Sequence, residues 1–87
     1  MTSGALIAAE LRRRLAANVR RLRLAASLTV KQAAGRVELH WRHWQKVEAE
    51  QNNATLATII RMASALDVTP AELLAKPPPG SEEPGAR

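Results

Sequence analysis

The chain has 87 residues, enough for one small domain around a single modest core. It has no cysteine, which excludes disulfides and thiolate metal sites, and its longest unbroken apolar run covers only residues 5–9, far short of a membrane span or a signal-peptide core. The net charge of +5 is unevenly spread. Between Glu10 and Lys46 ten Arg and Lys residues face two Glu, whereas from Val47 to Lys76 four acidic residues face two basic ones. Such a split points to one side of the molecule that faces a polyanion. The apolar residues are mostly Ala, Leu, Val and Ile with no alternating stretch, so a sheet is not expected. A soluble, cytoplasmic protein is implied.

From Ser3 to about Ala26 the chain is rich in Ala, Leu and Arg. Leu11, Leu15, Val19, Leu22 and Ala26 recur at helical spacing, with Ser3 as a cap. Ser27-Leu28-Thr29 breaks this pattern, and Thr29 caps a second, short helix over residues 30–37, with Ala33, Ala34 and Val37 inward. Gly35 in its interior costs up to ~1 kcal/mol. A turn, Glu38-Leu39-His40, leads to a third helix over about 41–50. Both aromatic residues of the chain, Trp41 and Trp44, lie there. On a helical wheel Trp44 and Val47 fall together, Arg42, Gln45 and Lys46 lie opposite, and Trp41 and His43 flank them.

Gln51-Asn52-Asn53-Ala54 reads as a polar loop. Thr55 caps a fourth helix, Leu56–Leu66, and Thr69 caps a last one, Pro70–Leu74, with proline at its first position. After Lys76 four prolines and two glycines fall within nine residues, a composition that cannot pack. The expected architecture is therefore all-α with five helices. It has an N-terminal helical extension over residues 1–14, a helix-turn-helix domain over 15–76 and a disordered tail over 77–87.

In this order and at these spacings the residues resemble the phage-repressor/Cro-like, or XRE, family of helix-turn-helix DNA-binding domains. The resemblance runs without a gap from about Leu15 to Leu74. It is carried by Val19-Arg20-Arg21-Leu22-Arg23, by Leu28-Thr29 with Ala33-Ala34, by Val47-Glu48, and by Asn53-Ala54-Thr55-Leu56. It continues through Met62-Ala63-Ser64-Ala65-Leu66-Asp67-Val68 and Pro70-Ala71-Glu72-Leu73-Leu74.

The resemblance implies that the helix at 41–48 is the recognition helix, lying in the major groove of double-stranded DNA. Its base-reading positions fall on Trp41, Arg42 and Lys46. The wheel independently exposes Arg42, Gln45 and Lys46, and Arg42 can donate two hydrogen bonds to one guanine. His43 at the flank, Thr29 and Val30 at the start of the second helix, and Asn52 and Asn53 in the following loop are expected at phosphates. Arg23 and Glu48 are expected to form a structural ion pair.

Four positions depart from the family pattern. Glu38 and Glu50 stand where glycine is usual, and His40 is a weak substitute for the Ser or Thr that normally caps the recognition helix. Val30 replaces a frequent Gln. His40 and His43 have helical metal-ligand spacing but no third ligand, so no metal or other cofactor is expected. Nothing suggests catalysis: Glu48 and Glu50 face different directions, and no Ser/His/Asp set surrounds a pocket.

The reading is a sequence-specific, nucleoid-associated bacterial transcriptional repressor that binds a palindromic operator as a homodimer. A second class is an antitoxin, or an interaction module of a larger complex, that engages a protein partner through the N-terminal helix with its Leu6, Ile7 and Leu11. A third is a nucleoid-type binder with little sequence preference.

Overall fold

The computed structural model describes residues 3–80. Its elements are α1 (Gly4–Ala25), α2 (Val30–Gly35), α3 (Trp41–Glu48), α4 (Leu56–Leu66) and α5 (Pro70–Leu74), with no strand among the described residues. No described helix is long and apolar enough to cross a membrane. Each helix starts where a side chain closes its first turn. Ser3 accepts from the Leu6 amide at 3.2 Å, Thr29 from Gln32 at 3.0 Å, Thr55 from Thr58 at 3.1 Å and Thr69 from Glu72 at 3.2 Å. At Thr29 and Thr69 the bond is reciprocated by the Gln32 and Glu72 side chains, giving capping boxes. Each cap contributes on the order of 1 kcal/mol.

Four of the five helix ends, those of α1 to α4, share one device. Leu28, Leu39, Gln51 and Val68 donate their amides to Arg23, Ala34, Lys46 and Ala63 respectively, five residues back, at 2.9–3.1 Å. The residue before each donor is left-handed: Ser27 (φ 58), Glu38 (φ 55), Glu50 (φ 60) and Asp67 (φ 60). This is the closure that usually uses glycine, and here no glycine occupies it. A side chain in that conformation costs about 1–2 kcal/mol relative to an unstrained backbone. These closures also end α2 at Gly35 and α3 at Glu48, each two residues short of the periodicity-based expectation. Gly35 is thereby the last residue of α2, where glycine costs little.

Trp44, fully buried, is the largest core side chain. It packs in a cluster with Leu15 and Val19 of α1, Ala33 and Ala34 of α2, Val47 of α3, Ile59 and Met62 of α4, and Leu73 of α5. The two small α2 residues let α3 lie close against α2. Asn18 is buried in α1 and donates to the Leu73 and Ala75 carbonyls at 3.0 and 2.8 Å, tying α1 to the end of α5. The expected α1 stripe holds only in part: Leu15 and Val19 are buried, but Leu11 and Ala26 are exposed. No residue from Ser3 to Arg14 is buried, and Leu6 is 64 % exposed. At the other end Pro77 is buried and Pro78 to Gly80 are exposed. The rest of the tail expected to be disordered, residues 81–87, lies outside the described residues.

Candidate nucleic-acid interface

Two short helices, α2 and α3, meet through the turn at Glu38, and α3 is held from its inner edge. Trp44 and Val47 point into the core; Arg42, Gln45 and Lys46 are exposed on the opposite edge. An eight-residue helix is too short to be stable by propensity alone, so its geometry depends on this packing.

A polar cluster behind the helix fixes it further. The Glu48 carboxylate accepts from Arg23 Nε at 2.7 Å, Arg23 Nη2 at 2.9 Å and the Trp44 indole Nε1 at 2.7 Å, with Arg20 Nη1 at 3.8 Å. Arg23 is 7 % exposed, and its Nη1 donates to the Leu28 carbonyl at 2.9 Å. The hydrogen bonds to Glu48 raise the Arg23 guanidinium above its ordinary value, so its charge is fixed. A single carboxylate thus joins α1, the core tryptophan and the end of α3. The Trp44 N–H bond is invisible to pattern reading, although the Trp44–Glu48 spacing of four residues permits it.

The start of α3 differs from expectation. His40 is a working cap: its Nδ1 accepts from the Arg42 amide at 3.1 Å. That bond sets the neutral tautomer, with the proton on Nε2. Trp41 is half-buried, with part of its ring against the core. Its ring stacks on His40 at 6.0 Å between centroids, and Lys31 Nζ and Arg42 Cζ lie 4.9 and 5.3 Å from its centroid. Lys31, the second residue of α2, was not among the expected site residues.

His40, Arg42, His43, Lys46 and Asn52 line an open polar concavity of about 450 Å³. The Asn52 Oδ1 atom is buried there without a hydrogen-bond partner among the described residues. Asn53 is placed differently from its neighbour: its Oδ1 accepts from Arg12 Nη1, which joins the loop to the N-terminal part of α1. Thr29 uses its hydroxyl and amide in the α2 capping box, and Val30 packs partly against the core. The exposed Thr29 hydroxyl accepts the Gln32 amide and keeps its own O–H for an outside acceptor, whereas Val30 offers no polar side-chain atom. No group of acidic, His or Cys residues that could hold a metal ion occurs among the described residues.

The arrangement defines a class: a small basic helical domain whose third helix offers cationic and amide side chains outward. The chain belongs to the helix-turn-helix domain family, whose model matches residues 14–75, well over half of its length. These are XRE-like DNA-binding domains. No curated protein and no solved structure matches the chain. The family match leaves outside it the part of α1 that buries no residues.

Proposed function

We propose that the chain is a sequence-specific transcriptional regulator, a repressor that binds a palindromic DNA operator as a homodimer and works in the bacterial cytoplasm at the nucleoid. The observation that carries this reading is the orientation of α3, with Trp44 and Val47 anchored inward and Arg42, Gln45 and Lys46 outward. Arg42 and Lys46 address base edges, Arg42 by a bidentate contact to guanine. Gln45 and Trp41 lie beside them. His43, Asn52 and Asn53, with the start of α2 at Thr29 and Val30, face the sugar-phosphate backbone. A two-fold dimer would set half-sites about one helical turn apart.

Selection from a random duplex pool, followed by titration over salt, tests this. A regulator should enrich an inverted repeat, prefer it by roughly 10³-fold or more over random duplex, and lose affinity steeply as salt rises. No binding to any duplex at low salt would overturn the reading.

One observation favours a second reading, a protein-interaction module such as an antitoxin. Leu6, Ile7 and Leu11 are exposed on α1. A mostly apolar groove lined by Ala8, Leu11, Leu15, Ala54, Ile59 and Leu74, with Arg12 and Asn53 also in its wall, runs beside them. The Leu6→Ser/Ile7→Ser double variant, which leaves Arg12 and Asn53 in place, should keep duplex affinity intact if the DNA reading is right, and should abolish function if the interaction reading is right.

A further inference from the structure

Two positive side chains from different helices converge on one aromatic ring at the edge of the α3 surface. Lys31 comes from the first turn of α2 and Arg42 from the first turn of α3, and they lie over Trp41 at 4.9 and 5.3 Å from its centroid. Like charges on flexible stems separate in water unless something attracts both. The negative face of an indole supplies that attraction. Trp41 is itself held, by partial burial against the core and by the His40 ring. The ring is therefore a platform that biases both cations toward one place before any ligand arrives. Neither cation forms an ion pair with a carboxylate among the described residues. Their charge is left for an external anion.

We propose that Lys31 is a DNA phosphate-binding residue and that Trp41 is a positioning residue, which holds Lys31 and Arg42 as a paired clamp on one strand of the duplex. This rests on the DNA reading above and refines it: Trp41 acts through the cations it orients rather than by touching a base. Pre-ordering the two long side chains reduces the entropy lost on binding, which is the advantage of such a platform. The clamp spans both helices of the helix-turn-helix, so it also couples the register of α2 on the backbone to that of Arg42 in the groove.

The test compares Lys31→Gln, Trp41→Leu, Trp41→Phe and the Lys31→Gln/Trp41→Leu double variant with the parent. A labelled duplex selected by the parent is titrated over a salt series by fluorescence anisotropy. Lys31→Gln should reduce the slope of log affinity against log salt by about one per bound protomer, about two for the dimer on its palindrome, the signature of one lost phosphate contact in each half-site. Trp41→Leu should weaken binding by about tenfold, and Trp41→Phe, which keeps a ring face, by no more than about threefold. Adding Lys31→Gln to Trp41→Leu should cost clearly less than it costs in the parent. An unchanged salt slope for Lys31→Gln, or losses that simply multiply, would overturn the proposal.

A second measurement needs no DNA. In the NMR spectrum of the free protein the Lys31 Hε and Arg42 Hδ resonances should be shifted upfield by the indole. They should return to ordinary positions in Trp41→Leu and remain shifted in Trp41→Phe. Unshifted resonances in the parent would refute the clamp on their own. Shifted resonances in a parent that binds no duplex would instead sink the DNA reading, and the phosphate role of Lys31 with it, while leaving the platform standing.

Discussion

The Arg23–Glu48 pair is the feature whose loss should be felt most sharply, and its partners are unequal. In Glu48→Met, Arg23 loses both bonds to the carboxylate and keeps only the Leu28 carbonyl, while the Trp44 N–H is left in the core without an acceptor. Removing one partner of a buried pair costs about 3–5 kcal/mol, and an unsatisfied buried donor adds about 1–3 kcal/mol. In Arg23→Met, the remaining Glu48 keeps the Trp44 N–H, and Arg20 lies within reach at 3.8 Å. That variant should lose less, about 3 kcal/mol. The double variant strands no charge and should be more stable than Glu48→Met alone, which requires a coupling larger than the Arg23→Met loss, about 3 kcal/mol or more. These losses approach the whole stability of a small domain. The series is therefore followed by circular dichroism in urea at a fixed trimethylamine N-oxide concentration that keeps each single variant folded. If the double variant's loss equals the sum of the singles to within about 0.5 kcal/mol, the two side chains are not coupled and the account of how α3 is held is wrong.

The left-handed positions give a prediction of the opposite sign. Glu38→Gly and Glu50→Gly should each stabilise the fold by up to about 1 kcal/mol in the same urea assay, the relieved strain being partly offset by the freer unfolded chain. Each also removes a negative charge, so tighter binding to duplex at low salt should accompany the gain. The acid limb of stability should involve Glu10, whose carboxyl is held down from 4.5 to about 2 by hydrogen bonds from Arg13 and Arg14. Because the folded value is the lower one, its contribution is present above pH 4.5 and lost as the pH falls toward 2. Glu72 is lowered too, by the Thr69 amide and hydroxyl of the α5 capping box. Amide protection factors, taken against the intrinsic exchange rate at each pH, should therefore fall on acidification at α1 residues around Glu10 and at the first turn of α5, and Glu10→Gln should remove the change in α1.

Much of the fold is legible because its signals are local. Thr29, Thr55 and Thr69 each precede a periodic apolar segment, and Pro70 marks the first position of α5; the helix starts fall where those residues put them. The ends of α2 and α3 are harder to read than those of α1, α4 and α5, which fall at or within one residue of the expected positions. Ser27, Glu38, Glu50 and Asp67 all turn left-handed without being glycine, and a glutamate in particular gives no local hint that a helix stops beside it. The inward edge of α3 follows from the wheel, since Trp44 and Val47 share an angle. What the wheel could not supply were contacts set by tertiary approach. Asn53 meets Arg12 across 41 residues, Asn18 meets the α5 carbonyls across 55 and 57, and Lys31 reaches Trp41 only because α2 and α3 start side by side. His40 was undervalued for a different reason: ranking cap residues by type overlooks an imidazole nitrogen at the right distance.

The central claim is that α3 presents its Arg42–Lys46 edge to DNA, and mapping amide and side-chain NMR shifts on adding the selected duplex tests it most directly. The account predicts that residues 29–31, 40–46 and 52–53 move together and saturate at one protein per half-site, while α5 and the first two turns of α1 stay in place. Shifts confined to the exposed Leu6–Leu11 side of α1 and its groove, with Arg42 and Lys46 unmoved, would contradict it.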